Sequence, residues 1–563
     1  MIFFKKINKM KRSICSIILI IILTLISRPV HSIEIIQGSK ISGNFQIDAQ
    51  SYQKDSLIGA DDVREKVLSN AYLNMIFNIE NFEAGIRYEA YLDPILGIDP
   101  RYKGSGIPFR YLTFTSDMID VTAGNFYEQF GSGIIFRTYE ERQLGFDNSM
   151  DGLRIKIRPI DGIDLTAIIG KQRSFWNTGD GIVRGANITF DINNFFKKLL
   201  PRNLDIKIGA SIISKYQADL QSKYKLPENV LAYSTRLAIS TDWFQLDGEY
   251  AYKFNDPQAT NNFSFNPGTG FIINASLFGT GIGFTLNMHR VDNMDFRSDR
   301  AARGNNLLIN YIPPLTKQHA YRLATIYPYA TQINNEIGIQ ADFTYTFNKE
   351  SLFGGKYPAT INVNYSRIHN IDTSHIDDFT YKSPFFSVGK RMYFQDINIE
   401  IEKKWSTNWM THLAYINLIY DKDILEHEGI PDYGKIYSNI LVLETTYKIS
   451  KKDALKIEAQ HLWWAQDSLI KIPDNQNGNW LYLFAEYTIS PSWYFSIWDE
   501  FNYGNQDIDR RIHYISGSFA FVYETSRISF GYGRQRGGTI CIGGVCRQVP
   551  ASNGFFLTIS SSF

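Results

Sequence analysis

The sequence predicts an all-β protein, a transmembrane antiparallel outer-membrane β-barrel of about 24 strands, with 22–26 as the expected range. Three features predict it: an export signal at the start, alternating strand-length segments along the chain, and an amphipathic segment that ends in Phe563. Composition agrees, since 15% of the residues are aromatic and 20% are charged. A barrel tolerates that polarity because only alternate residues of each strand face lipid.

Residues 1–32 have the parts of a secretory signal: the basic start "MIFFKKINKMKR", the apolar run "SICSIILIIILTLIS" and a small residue before Ile33. The alternative is a membrane anchor, but the apolar run is short for a spanning helix. Its removal lowers the formal charge from +1 to −5, because six basic residues and no acidic one leave. A mature chain of that charge gives no reason to expect nucleic acid. We therefore predict one exported barrel domain at 33–563.

Segments of about ten alternating residues recur along the mature chain, for example "YLNMIFNIE", "LRIKIR" and "INIEIE". The predicted connections after even-numbered strands are mostly short, although those near 192–203 and 348–358 are longer. The connections after odd-numbered strands are long, among them 127–149, 172–183 and 291–334. This alternation predicts short periplasmic turns, long extracellular loops, and both termini on the periplasmic side.

The last segment, "NGFFLTISSSF", alternates apolar and mostly polar residues. It resembles the assembly signal of bacterial outer-membrane barrels, whereas the alternative is an edge strand of a soluble β-sandwich. The resemblance implies the outer membrane of a Gram-negative bacterium, with lipid and the barrel-assembly machinery as partners. The residues on its apolar face are Phe555, Leu557, Ile559 and Phe563.

Two cysteines near the end of the chain, Cys541 and Cys546, flank a Gly-Gly pair that predicts a hairpin turn. The third, Cys15, lies in the predicted signal. Facing residues of such a hairpin have Cα atoms about 4.5 Å apart, which a disulfide accepts. We predict a disulfide that stiffens a loop by roughly 2 kcal/mol. The alternative, a metal or redox pair, lacks further ligands, so no metal is expected.

A barrel of this width needs either a channel or a filling, because wall side chains cannot close its lumen. Few residues precede the first predicted strand, so no N-terminal plug domain is expected. Loops that fold inward are then the candidates for a constriction, first 127–149 and second 291–334. The alternative is a solvated surface loop. The charged candidates in the first loop are Glu128, Arg137, Glu140, Glu141 and Arg142.

Charges on the predicted inner wall segregate by strand. A basic wall facing an acidic wall would create a transverse field in the lumen, whereas pairing of each group with a neighbour would cancel it. The basic residues lie on about the sixth strand, one acidic pair lies on about the sixteenth, and a second acidic pair lies between them. In chain order they are Arg154, Lys156 and Arg158, then Asp247 and Glu249, then Glu400 and Glu402.

The stretches "GNFYEQFGSGIIFRTYEERQLGFDNS", "GKQRSFWN", "YPYATQ" and "GRQRGGTICIGGVCRQVPASNG" resemble a family of Bacteroidota outer-membrane proteins. That family is known only as a domain of unknown function. The resemblance implies a β-barrel and a Bacteroidota source, and it brings no activity and no catalytic residues.

The sequence is typical of a porin-like channel or transporter for small solutes, constricted by its loops. The alternative is a non-conducting scaffold that docks surface lipoproteins or secretion machinery. The histidines form no recognisable catalytic arrangement with serine or acidic residues, so we expect neither an enzyme nor a cofactor.

Overall fold

The computed structural model describes most of the chain from residue 38 onward. The predicted signal and the Gly-Gly turn lie outside the described residues. Those residues are 38–563 without 197–200, 202, 221–222, 428, 430–432, 468–474 and 543–544.

Twenty-four strands of the described chain form one antiparallel sheet. In chain order they are β1 (Ser39–Ser51), β2 (Val67–Ile79), β3 (Phe82–Asp93), β4 (Gly104–Thr115), β5 (Ile119–Phe126), β6 (Met150–Ile160), β7 (Ile163–Ser174), β8 (Asn177–Asp191), β9 (Asp205–Tyr216), β10 (Asn229–Ser240), β11 (Phe244–Lys253), β12 (Gly268–Gly279), β13 (Ile282–Asp292), β14 (Asn335–Phe347), β15 (Ala359–Ile371), β16 (Val388–Lys404), β17 (Trp409–Asp421), β18 (Lys435–Lys448), β19 (Asp453–Gln466), β20 (Trp480–Ile489), β21 (Trp493–Phe501), β22 (His513–Tyr523), β23 (Ser526–Gln535) and β24 (Ser552–Ser562).

The sheet closes into a barrel because its last strand pairs with its first. Asn44 of β1 faces Ser562 of β24, and Ile47 faces Ile559. Closure leaves no strand edge without a partner. The prediction of about 24 antiparallel strands in one barrel is therefore confirmed.

The two ends of the barrel differ in their connections. At one end, here the turn end, each even-numbered strand runs into the next, often through two to four residues, while 192–204 and 348–358 are longer. At the other end, here the loop end, most connections are long, and the longest described ones cover 127–149 and 293–334.

The predicted long connection at 172–183 is wrong. Strands β7 and β8 continue to Ser174 and Asn177 and leave only a two-residue turn. The glycines of "NTGDG" suggested a loop, but they serve close packing inside a strand. A Cβ at Gly181 would lie 2.0 Å from the carbonyl oxygen of Ser298.

Short elements decorate the connections. No helix among the described residues is long and apolar enough to cross a membrane. The short strand pairs are Gln129–Phe130 with Phe136–Arg137, Glu140–Glu141 with Phe146–Asp147, Ser374–His375 with Tyr381–Lys382, and Gly538–Ile542 with Val545–Val549. The helices in the described part of the chain are the α-helices Ile192–Phe195 and Lys422–His427 and the 3-10 turns Pro100–Tyr102, Arg142–Leu144, Ala324–Ile326 and Ile508–Arg510.

The disulfide prediction is confirmed. Cys541 and Cys546 are bonded and face each other across the hairpin, with Ile542 opposite Val545 beside the turn.

The outer face of the barrel exposes large apolar side chains, such as Leu153 in β6 and Ile208 and Ile212 in β9. Such a face suits contact with lipid rather than water. Exposed aromatic side chains at the turn end match the interfacial girdle of membrane barrels. They include Phe82, Trp243, Trp405, Trp409 and Trp493.

A charge placed on this face tests the contact with lipid. Leu441 lies midway along β18 and is 42% exposed. We expect Leu441→Arg to lower the free energy of unfolding in lipid vesicles by about 2–4 kcal/mol, because the guanidinium would enter hydrocarbon. Urea unfolding followed by tryptophan fluorescence measures this.

Gln245→Arg is the matched control, because Gln245 faces the lumen beside Asp247 and is exposed there. Its expected effect is within about 0.5 kcal/mol. Equal losses in the two variants would contradict a lipid-facing outer surface.

Candidate functional site: loops within the lumen

Two long connections enter the lumen from the loop end. We call residues 127–149 the first inward loop and residues 293–334 the second inward loop. The burial of inward-facing residues on the wall shows how far the two loops extend into the lumen. On β11, Lys253 and Glu249 are buried toward the loop end, whereas Gln245 at the turn end is exposed. The inward loops therefore fill the loop-end part of the lumen and leave a vestibule at the turn end.

The first inward loop is built from two short hairpins. Gln129–Phe130 pairs with Phe136–Arg137, and Glu140–Glu141 pairs with Phe146–Asp147. Gly145, with φ of 64°, ends the 3-10 turn that joins the strands of the second hairpin. The loop is therefore a folded unit rather than an extended chain.

Apolar side chains fix the first inward loop to the wall. Phe130, Ile134, Ile135 and Phe136 are 0% exposed. Burial of such a side chain stabilises by about 1.5–3 kcal/mol. The wall residues of this core come from strands β5 to β13 and are Phe126, Met150, Ile168, Val183, Ile213, Val230, Ala232, Ala251, Ile272 and Val291.

Glu249 supports the tip of the first inward loop. Its carboxylate accepts a hydrogen bond from the backbone N–H of Ser132 at 2.7 Å. Gly131, with φ of 56°, permits this approach, since a Cβ there would lie 2.5 Å from the carboxylate. The neighbouring candidate Asp247 accepts a hydrogen bond from Gln245 and lies in the vestibule.

The basic residues of β6 form ion pairs with two different parts of the molecule, the first inward loop and the neighbouring wall strand. Glu128 of the loop pairs with Lys156 at 2.7 Å and with Arg154 at 3.5 Å. Arg158 pairs instead with Asp120 of the neighbouring strand at 2.9 Å. Each basic group therefore has an acidic neighbour, which is the arrangement expected if neighbouring charges cancel rather than create a transverse field.

Three further candidates lie in the second hairpin of the first inward loop. Glu140 pairs with Arg142 at 2.9 Å and with Arg87 of β3 at 2.9 Å. Glu141 accepts a hydrogen bond from the backbone N–H of Gln143 at 3.3 Å. Glu140 thus contacts the wall, whereas the contact of Glu141 is local.

The two inward loops are joined to each other. The backbone N–H of Arg137 donates to the carbonyl of Ile309 at 2.9 Å, and that of Tyr311 donates to the carbonyl of Gly133 at 3.0 Å. The Arg137 guanidinium also lies over the Tyr311 ring, 4.2 Å from its centroid. Movement of one loop therefore requires the other to move or these contacts to break.

The second inward loop crosses the lumen. Its first part, including Met294, Phe296 and Ile309, packs in the same core as the first inward loop. Its second part packs against the opposite wall, on strands β15 to β20 and β22. The loop residues of that second core are Leu315, Leu323, Ala324, Ile326, Tyr327 and Tyr329.

The acidic candidates of β16 also differ in their contacts. Glu400 pairs with Lys317 of the second inward loop at 2.9 Å and lies 3.7 Å from His412. Glu402, one step nearer the turn end, is exposed. The loop therefore reaches the level of Glu400 on this wall.

A buried ion cluster anchors the first inward loop to two strands. Glu89 of β3 pairs with Arg87 at 2.7 Å and with Arg173 of β7 at 2.7 Å. Asp147 of the loop binds both arginines, with 2.7 Å to Arg173. Burial raises the pKa of Asp147, but attraction to Arg173 and Arg87 outweighs burial and holds the pKa below its ordinary value of 3.8.

Sequence reasoning missed this cluster. Arg87 and Glu89 are alternate residues of β3 and so share its inner face, which the alternation of "EAGIRYEAYL" could have shown. Arg173 lay inside the stretch taken for a loop. Among the described residues, no group of three or more His, Cys, Asp and Glu side chains is placed to hold a metal ion.

The predicted assembly segment lies in β24, the last strand, which closes the barrel by pairing with β1. Phe555 is exposed on the outer face, and Leu557 and Ile559 alternate with it along β24, whose Thr558 hydroxyl donates to Asp48. Phe563 exchanges backbone hydrogen bonds with Gly43 of β1. A role in assembly stays a prediction.

The ion cluster gives a test of how the first inward loop is anchored. We expect Asp147→Asn to destabilise the docked loop by about 3–5 kcal/mol at neutral pH, because two buried arginines lose a shared carboxylate. Hydrogen exchange of residues 140–149 in the folded barrel measures the change. Since the pKa of Asp147 is depressed, its contribution in the wild type is present above pH 3.8 and is lost as the pH falls through the folded value.

Asp507→Asn is the control for that experiment. Asp507 pairs with Arg510 at an exposed site at the loop end, where a pair contributes about 0–1 kcal/mol. Unchanged exchange of residues 140–149 in Asp147→Asn would contradict the anchoring role.

The chain is similar to several solved structures at low sequence identity. The siderophore receptor PirA from Pseudomonas aeruginosa has 9% identity and a TM-score of 0.39, over 95% of this chain and 81% of that chain. The outer membrane transporter YddB from Escherichia coli has 9% identity and a TM-score of 0.39, over 93% and 81%. OpdQ from Pseudomonas aeruginosa has 9% identity and a TM-score of 0.31, over 94% and 99%.

No curated protein matches the chain. A family model described as a family of unknown function, DUF6029, matches residues 10–563. The predicted source within Bacteroidota stays a prediction. The match extends over the whole barrel and includes both inward loops, so the chain belongs to the DUF6029 family.

Proposed function

We propose that the protein is an outer-membrane channel or transporter for small solutes, closed at its loop end in this conformation by the two inward loops. The barrel would be oriented with its loop end outside the cell and its turn end and both termini in the periplasm, as in other bacterial barrels. The apolar outer face and the aromatic side chains at the turn end support this location.

The proposal rests on the exposure of inward-facing side chains, which increases along the inner wall from the loop end to the turn end. Near the turn end the wall keeps charged side chains that are half-buried or exposed, among them Lys207, Arg236 and Asp247 around a cavity of about 370 Å³. Charged walls in contact with water suit the passage and selection of polar solutes. A solute entering from the vestibule would meet the tip of the first inward loop beside Glu249.

A specific observation favours a second candidate, a non-conducting scaffold that docks surface lipoproteins or secretion machinery. Apolar side chains of the inward loops pack against apolar side chains of the barrel wall, and both sets are buried. Withdrawal of a loop would expose this apolar wall to water, at about 25 cal/mol for each Å². That cost favours loops that stay docked.

Conductance in planar bilayers separates the two candidates. We expect brief openings of the purified wild-type barrel and more frequent openings of Glu128→Gln, because the change removes the charge that pairs with Arg154 and Lys156. Glu141→Gln is the matched control: it makes the same charge change in the same loop, at a residue whose hydrogen bond is local.

A third variant replaces residues 127–149 by a short Gly-Ser linker. Large steady conductance of this variant with a silent wild type would support the plugged scaffold. Silence of every variant, in protein whose folding is shown by heat-dependent mobility on SDS gels, would overturn the channel proposal.

A further inference from the structure

A cavity of about 190 Å³ lies where the main elements of the loop end meet. The first inward loop, the second inward loop, the turn between β7 and β8 and the disulfide hairpin all contribute to its lining. A cavity of this size has room for a small anion together with water molecules. Its charged lining residues are Asp99, Asp147, Arg173, Arg303 and Arg547.

The negative charges of this lining are already compensated. Asp99 pairs with Arg101 at 2.6 Å. Asp147 and Arg173 belong to the buried cluster, in which Arg87 and Arg173 face Glu89 and Asp147, and Glu140 beside Arg87 also pairs with Arg142. The positive charges that remain in the lining are those of Arg303, which is exposed, and Arg547.

Arg547 is the unusual member. Its Nε and Nη1 atoms are buried and have no hydrogen-bond acceptor among the described residues. Ionised groups in folded proteins are normally paired, so a guanidinium that lines a cavity and lacks an acceptor for two of its donors favours an anion at the edge that faces the cavity. The hydroxyl-bearing rings of Tyr52 and Tyr72 are its polar neighbours on the barrel side.

The hairpin holds Arg547 in place. Arg547 faces Ile540 in the strand pair, and its neighbour Cys546 is bonded to Cys541. The side-chain amide of Asn305 in the second inward loop donates to the carbonyl of Cys546 at 2.8 Å. The disulfide thus limits the freedom of the backbone that carries this guanidinium.

We propose that this cavity binds a small tetrahedral oxyanion of the phosphate class between Arg547 and Arg303. A guanidinium presents paired N–H donors that match two oxygens of such an anion. Bound there, the anion links the second inward loop to the hairpin, next to residues 144–148 of the first inward loop. The site goes beyond solute passage and does not depend on whether the barrel conducts.

Calorimetry with inorganic phosphate tests the site in the full-length barrel purified in detergent with chloride as the only other anion. We expect saturable binding to the wild type, a loss of affinity of at least tenfold in Arg547→Gln, and partial recovery in Arg547→Lys. Arg184→Gln is the matched control, because Arg184 loses the same charge but bonds Asn229 outside the cavity.

Hydrogen exchange gives a second readout, in which phosphate should protect residues 303–307 and 144–148 in the wild type and not in Arg547→Gln. Folding of each variant is checked by heat-dependent mobility on SDS gels. Absence of binding to the folded wild type overturns the proposal. Equal affinity of the wild type and folded Arg547→Gln overturns it as well, and would leave Arg547 as a packing residue beside the tyrosines.

Discussion

The width of the barrel is the constraint on which the rest of the structure depends. A ring of 24 strands encloses a cross-section far larger than its own wall side chains can fill. The chain meets this constraint with two of its own connections, which carry apolar residues into the lumen and bury them against the wall. The wall of the loop-end half is therefore covered on both faces, by lipid outside and by the inward loops inside, which contact apolar side chains and buried charged groups such as Glu249.

Apolar contact and charge have different roles in the docked loops. Side chains such as Phe130 and Ile326 supply the burial that holds the loops in the lumen. Buried ion pairs contribute little net stability, because desolvation offsets attraction, but breaking one is costly. The cluster of Arg87, Glu89, Arg173 and Asp147 consequently fixes where the first inward loop docks rather than how strongly it is held.

The sequence predicted the strands because each strand repeats with a period of two, and it predicted the hairpin disulfide because that contact is local. The sixth and sixteenth strands carry the charges that the alternation assigned to them, and Asp247 and Glu249 lie between them on the eleventh. Ion pairs between residues distant in sequence could not be predicted. Lys317 and Glu400 are 83 residues apart, and no local sequence pattern indicates that they pair. The glycines at 179 and 181 led to the wrong prediction of a loop for a related reason. They allow close contact with the second inward loop, which lies more than a hundred residues later in the chain.

The position of the second inward loop has a consequence for the order in which the molecule forms. Residues 315–329 pack against β15 to β20 and β22, all of which follow the loop in the chain. Until those strands join the sheet, the wall that this segment needs does not exist, and its apolar side chains lack most of their partners. Docking must therefore wait until β22 has joined the sheet, and contacts of such long sequence separation form slowly. An immature barrel consequently passes through a stage with an unfilled lumen and an undocked apolar segment.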